Sequence, residues 1–408
     1  MYLGVIQFFF AAMWIVYVLF LPQLAESVGI PRSFAIWILL LDQVVFAFTD
    51  FAMGLAADRV ERGIGRLGPA IAAITAVSCF SFLALPLIAQ PGSASPTTTA
   101  IFVFLLVVWA VTSSALRAPP WVLIIKYAAN PTIPWLAAIV LVGVSAAAAI
   151  SPYLGLVLRD IDPRIPFAMS SGVLLATTAG LVWVERGLAR GAPATAMAQP
   201  SPQALGPLQP GTRAGFAVAA FVFTVLVLGL GYQANISFVA FNHYLRFASE
   251  ADLQYLNPIF FVGFNLLSLP ACAMTPRWGG ARVMLYSAAL GVFGVLLSAL
   301  APNLALTIVG QLLAGAAWGA IFIAAMATFM WLGRTGSEGS MTGLWFSTQA
   351  VAALFRIGIV ATQFDRAPGF GDIASWAPPA LWLLGVLVLA GLLWQASSQR
   401  TLVPSRTP

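Results

Sequence analysis

The chain has 408 residues, of which 61% are hydrophobic and only 8% charged, with a mean hydropathy of +0.94. That composition excludes an ordinary soluble domain and leaves no polar stretch long enough to build one beside the membrane. The net charge of +6 comes from basic residues scattered one to three per loop. They form no stripe for nucleic acid and report membrane topology instead.

Windows of roughly 20 apolar residues recur along nearly the whole length. They predict an all-α integral membrane protein with twelve transmembrane helices. The first six are expected at roughly 3–22, 34–56, 68–89, 99–125, 134–158 and 166–185. The second six are expected at roughly 214–245, 253–275, 282–301, 304–332, 341–364 and 379–396. Met1–Leu21 has no Lys or Arg before Arg32, so it is expected as a retained first helix rather than a cleaved leader. Pro119 and Pro120 are expected to kink or end the fourth helix. The seventh span is too long for one straight crossing and holds Gly229, Gly231 and Asn235. A break near its outer end is expected, as tolerated where backbone lines a cavity.

The stretch from Gly187 to Gly211 is rich in Pro, Ala, Gly and Gln and reads as a flexible linker. The expected organisation is a six-helix bundle at 1–186, a cytoplasmic linker at 187–213 and a second bundle at 214–408. With both termini cytoplasmic, Arg59, Arg62, Arg66, Lys126, Arg186, Arg190, Arg213, Arg277, Arg282, Arg334, Arg400 and Arg406 fall inside. Arg32, Arg159, Arg164, Arg246 and Arg366 fall outside. The excess inside is what the positive-inside rule expects.

Between the second and third spans lies the passage Asp50-Phe-Ala-Met-Gly54-Leu-Ala-Ala-Asp58-Arg59-Val-Glu-Arg62-Gly-Ile-Gly65-Arg66-Leu-Gly-Pro69. Asp50, Gly54 and Asp58 are spaced by four and stack on one helix face, and Gly54 permits close helix approach. The passage resembles the loop between the second and third helices of major facilitator transporters. Within them it is closest to the glycoside-pentoside-hexuronide group of sugar–cation symporters, matching at Asp50, Gly54, Asp58, Arg59, Arg62, Gly65, Arg66 and Pro69. The resemblance implies two pseudo-symmetric six-helix halves, with a weak echo of the motif at Pro276–Arg282. It also implies a gating cluster at the inner side that includes Asp50, Asp58 and Arg117. The chain departs from the cation-coupled members in having Phe46 one turn before Asp50 and no acid on the fourth helix, which speaks against sodium coupling.

Two acidic residues, Asp42 and Asp50, lie inside apolar spans, where an ionisable group is a functional candidate by default. Asp42 lies about 12 Å inside its helix and Arg356 rises about 21 Å along the eleventh. The resemblance makes those helices face one another, so an Asp42–Arg356 pair is expected to close the outer side. Asp42 or Asp50 is the candidate carrier of a coupling proton; the alternative is a uniporter.

Six tryptophans near helix ends, Trp37, Trp135, Trp183, Trp331, Trp382 and Trp394, read as an interfacial belt. Trp14, Trp109 and Trp318 fall deeper, on helices that line the cavity of the resembled fold. With Tyr17, Gln233, Asn235, Asn265, Gln311 and Gln349 they form the candidate solute site, rings stacking on sugar C–H faces and amides meeting hydroxyls. The single histidine, His243, beside Asn242 and Tyr244, is expected at the interface.

No phosphate-binding loop, nucleotide signature or metal-ligand spacing occurs, and Cys79 and Cys272 sit singly in apolar spans. The expectation is a non-enzyme without cofactor, save a coupling proton or sodium ion. It should be a monomer whose partners are a small solute and the bilayer. The leading reading is a secondary transporter of a small polar solute, a sugar or glycoside, by ion-coupled symport. The alternatives are a proton-coupled exporter of amphipathic compounds and a non-transporting assembly or sensor protein. One Lys against eighteen Arg suggests a GC-rich bacterial genome and an inner membrane.

Overall fold

The structure is a computed structural model that describes residues 1–128, 132–191, 208, 214–334 and 336–402. Twelve helices in it are long and apolar enough to cross a membrane. They are α1 (Tyr2–Ser27), α2 (Arg32–Ile64), α3 (Gly68–Ile88), α4 (Pro96–Tyr127), α5 (Ile133–Leu158) and α6 (Arg164–Arg190). Then come α7 (Gly215–Leu245), α8 (Glu250–Trp278), α9 (Gly280–Leu300), α10 (Leu304–Gly333), α11 (Glu338–Ala361) and α12 (Phe370–Ser398). The described residues contain no strand.

Local chemistry sets the ends and breaks. Gly65 takes a left-handed conformation with φ of 69° and its N–H closes on the Glu61 carbonyl at 2.9 Å, ending α2. Regular helix in α4 stops at Ser113, tightens over Ser114–Leu116 and restarts at Pro119. Pro119 and Pro120 thus open a new helical segment, where the missing N–H is not needed. In α7 the helix is regular to Ala234, widens into a π-helix over Asn235–Val239 and resumes at Ala240. The break is where the sequence places it. α12 begins at Phe370 rather than near 379, and runs through Pro378 and Pro379. The two prolines leave two donors missing inside the helix, as membrane helices tolerate.

The chain packs as two compact units. One comprises Met1–Ala129, Ile139–Met197 and Gly333–Ala367; the other comprises Asn130–Ala138, Ala198–Leu332 and Pro368–Pro408. By its packing α11 belongs with α1–α4 and α6. Most of the expected linker, 192–207 and 209–213, lies outside the described residues.

In the first unit α2 and α11 lie backbone to backbone. A Cβ on Gly54 would overlap the Gly339 carbonyl oxygen, and one on Gly339 would overlap that of Gly54, so neither position has room for a side chain. Phe82 and Phe167 stack at 4.2 Å, and the buried core continues through Met13, Tyr17, Phe20, Phe102 and Trp109. In the second unit Trp382 fills a slot that exists because Gly231 and Gly291 have no side chain there. Its Nε1 donates to the Leu228 carbonyl at 2.9 Å.

Candidate functional site

The motif passage is built around two carboxylates with different partners. Asp50 is fully buried on α2, and Arg117 of α4 reaches it with Nε 2.9 Å from Oδ2. The Arg117 guanidinium also lies 4.6 Å from the Phe46 ring centre and 5.7 Å from that of Phe346. A buried charge is thus met by an ion pair and by aromatic faces.

Asp58, two turns further along α2, serves α11. Ser337 at the start of α11 makes no side-chain cap bond. Asp58 instead accepts from Gly339 N at 2.6 Å, from Ser340 N at 2.9 Å and from Ser340 Oγ. An anion at a helix N-terminus satisfies N–H groups that have no partner within the helix and meets the positive end of its dipole. Arg62 Nε donates to the Asp58 carbonyl at 3.1 Å, whereas Arg59 and Arg66 are exposed.

Two residues absent from the sequence-based set complete this end of the first unit. Lys126, the single lysine, bridges Glu61 Oε1 at 2.5 Å and the Gly65 carbonyl at 2.7 Å, tying α4 to the motif loop. Glu185 of α6 is 1% exposed and accepts from Leu67 N at 2.9 Å and Gly68 N at 2.8 Å. It caps α3 as Asp58 caps α11. Asp58 and Glu185 therefore join Asp42 and Asp50 as buried acids. The signal of Glu185 was present as an acid at the end of the apolar run before Arg186, hidden because Arg186 and Arg190 mark that segment as a loop boundary.

Higher on α2, Asp42 is 3% exposed and its Oδ2 accepts from Tyr17 Oη of α1 at 2.8 Å. Arg356 is half-buried on α11. Around Tyr17 the structure gathers Trp14, Phe46, Phe82 and Trp109. Tyr17 and Trp109 ring centres are 4.3 Å apart, Trp14 and Trp109 are stacked at 5.8 Å, and Trp14 lies 5.6 Å from Phe46. Trp109 is 1% exposed, and its Nε1 finds no acceptor among the described residues. The same holds for Gln349 Nε2 on α11. Trp14, Tyr17, Trp109 and Asp42 thus form one constellation on α1, α2 and α4.

The remaining candidates lie in the second unit. Asn235 Nδ2 donates to Gln311 Oε1 at 3.0 Å, Gln311 Nε2 donates to Ser298 Oγ at 3.0 Å, and Ser298 Oγ lies 3.0 Å from His243 Nδ1. Asn235 and Gln311 are fully buried and hold each other. His243 is buried rather than interfacial, because this chain offers its ring a partner inside the bundle. Asn265 Nδ2 bonds its own helix at the Phe261 carbonyl, 3.0 Å away. Gln233 is half-buried, and Trp318 stacks on Tyr232 at 4.6 Å.

The aromatic belt is partly corrected. Trp37, Trp135, Trp183 and Trp394 are exposed, as a belt requires, but Trp331 and Trp382 are buried. For Trp382 the glycine slot described above is the reason; proximity to a helix end says nothing about facing lipid.

No family model matches the chain, and no curated protein matches it in sequence. Among solved structures, the human organic anion transporter MFSD10 (TETRAN) is similar, with a TM-score of 0.67 at 15% identity. The match covers 95% of this chain and 97% of that one. The chain is an integral membrane protein with the major facilitator fold.

Proposed function

We propose that the protein is a secondary transporter that moves a small solute by alternating access, with the solute held at the constellation of Trp14, Tyr17, Trp109 and Asp42. The observation that carries this reading is a buried carboxylate among ring faces from three helices of one unit. An ionisable side chain at membrane depth is retained for function far more often than for stability.

Between the two solute classes considered, the geometry favours an amphipathic solute over a sugar. A sugar needs several hydrogen-bonding partners at once. Asn235 and Gln311 are committed to each other, and Asn265 to its own helix. Around Asp42 the residues the structure gathers are mainly aromatic, with the Trp109 indole N–H as a further polar group. The organic anion named for the similar structure belongs to that protein; a buried carboxylate supports no anion at this site. Coupling is assigned to Asp42, with the Asp42–Arg356 pair as an arrangement of another state of the cycle. Asp58 and the Gly54–Gly339 approach are assigned to the gate. The expected location is a bacterial inner membrane with both termini cytoplasmic.

The test is uptake of labelled glycosides and amphipathic solutes into proteoliposomes under imposed proton, sodium or no gradient. Accumulation of one solute under one gradient supports the reading. No movement of any solute under any gradient overturns it in favour of a non-transporting protein.

A further inference from the structure

Asp42 and its ring cluster differ in one respect from the Asp50 arrangement two turns away on the same helix. At Asp50 the carboxylate, the aromatic ring and a cation are all present, the cation being Arg117 at 2.9 Å from the carboxylate and 4.6 Å from the Phe46 centroid. At Asp42 the carboxylate and the rings are present, and the hydrogen bond it accepts comes from the neutral hydroxyl of Tyr17. Phe46 is shared, lying 5.6 Å from Trp14.

Trp14, Tyr17, Phe46, Phe82 and Trp109 bring their rings within 4.3 to 5.8 Å of a neighbour in the cluster. Each ring face carries negative quadrupole density, which attracts a cation placed within about 6 Å of its centre. The carboxylate adds a full negative charge in a medium of low dielectric. An anion meets repulsion from both. A neutral polyol finds Tyr17 Oη, the Trp109 Nε1–H and the carboxylate oxygens as polar partners, but gains nothing from the negative charge of the site. A cation with an apolar body satisfies the whole set.

The structure assigns to the site, as we infer, a monovalent organic cation. Its ammonium group rests on Asp42 in place of the Tyr17 hydroxyl and its apolar body lies against Trp14 and Trp109. This rests on the transporter reading for its purpose but not for its test. A proton and the ammonium are then alternative occupants of one carboxylate. When the neutral acid binds the cation, the carboxyl O–H bond breaks, the proton leaves to solvent and the carboxylate pairs with the cation, one charge for one charge. Other titratable or charged groups on the surrounding helices include Tyr17 on α1, Asp50 two turns along α2, Cys79 on α3, Arg117 on α4, which pairs with Asp50, and Arg356 on α11.

The experiment uses the purified full chain and three water-soluble probes that share a phenyl ring. They are benzyltrimethylammonium, phenyl glucoside and phenylmethanesulfonate, followed by equilibrium dialysis and by proton release in weak buffer. The expected result is binding of the ammonium at least about tenfold tighter than of the other two. Its affinity should rise with pH, with about one proton released per cation bound over the range in which the carboxylate titrates. Asp42→Asn should lose the binding, and Trp14→Ala, a change at a half-buried ring, should weaken it about three- to tenfold. Should Asp42→Asn not fold, proton release by the unaltered protein decides.

Equal binding of the glucoside or the sulfonate overturns the inference. So does ammonium binding that releases no proton over the whole pH range, or that survives Asp42→Asn. Cation binding with proton release but no flux in proteoliposomes would uphold this inference and defeat the transporter reading. Glycoside flux without cation binding would do the reverse.

Discussion

Asp58→Asn isolates the contact between α2 and the start of α11. The carboxylate accepts two backbone N–H groups, from Gly339 at 2.6 Å and Ser340 at 2.9 Å, and the Ser340 hydroxyl. Asparagine keeps one acceptor oxygen and replaces the other with a donor that faces an N–H. One N–H bond survives as a neutral bond; the other is lost and its donor is left buried. Hydrogen bonds to a charged group contribute about 1.5–3 kcal/mol each and neutral ones about 1 kcal/mol. Loss of the charge at the helix terminus adds about 0.3–1 kcal/mol. The net expected loss is about 2–6 kcal/mol, localised to the first turn of α11, because Ser337 offers no substitute cap. Hydrogen–deuterium exchange followed by mass spectrometry reads this directly. Amides of the peptide spanning 338–343 should exchange at least about 30-fold faster and up to about 10,000-fold, at 1.4 kcal/mol per factor of ten, while peptides from α12 stay unchanged. Exchange in 338–343 altered by less than about threefold would refute the assignment of Asp58 as the cap.

Three further outcomes follow from the packing. Gly54→Leu places a side chain against the Gly339 backbone and should abolish folding or force α2 and α11 apart, read as loss of monodisperse protein in size-exclusion chromatography. Gly63→Leu should not, since a Cβ there would meet nothing within 4 Å. Ser298→Ala removes the shorter of two acceptors of Gln311 Nε2, leaving Asn235 Oδ1 at 3.5 Å, and removes the partner of His243 Nδ1; the loss should cost about 1–3 kcal/mol, measured as a lowered thermal unfolding midpoint. Exchanging Asp42 and Arg356 should restore part of the flux lost by each single neutralisation if they pair during the cycle; full activity of both single variants removes the pair from the mechanism.

How far the sequence alone could reach depended on the kind of partner involved. The twelve helices were legible because apolar length is a one-dimensional property. The neighbourhood of Asp50 and Arg117 was expected from the resemblance of the motif passage, and the structure pairs the two. Asp58 and Glu185 were harder. Their partners are backbone N–H groups of Gly339, Ser340, Leu67 and Gly68, and a backbone donor has no residue identity to read. The solute set was mixed for a similar reason. An amide looks the same in sequence whether it awaits a ligand or, like Asn235, is already held by Gln311. Trp382 and Trp394 both sit on α12, yet one is buried and the other exposed, which depends on glycines of other helices.

The widened turn at Asn235–Val239 changes which way the end of α7 points. A regular helix turns about 100° per residue, so two positions eight apart are offset by about 80° around the axis. A π-turn takes up one extra residue without adding rotation, and the offset between Asn235 and His243 falls to about 20°. That realignment lets both reach the same pair of neighbouring helices, Asn235 through Gln311 of α10 and His243 through Ser298 of α9. Were the same residues to form a regular α-helix with none deleted, the imidazole would swing about 100° around the axis, away from Ser298, although no hydrogen-bonding side chain had been altered.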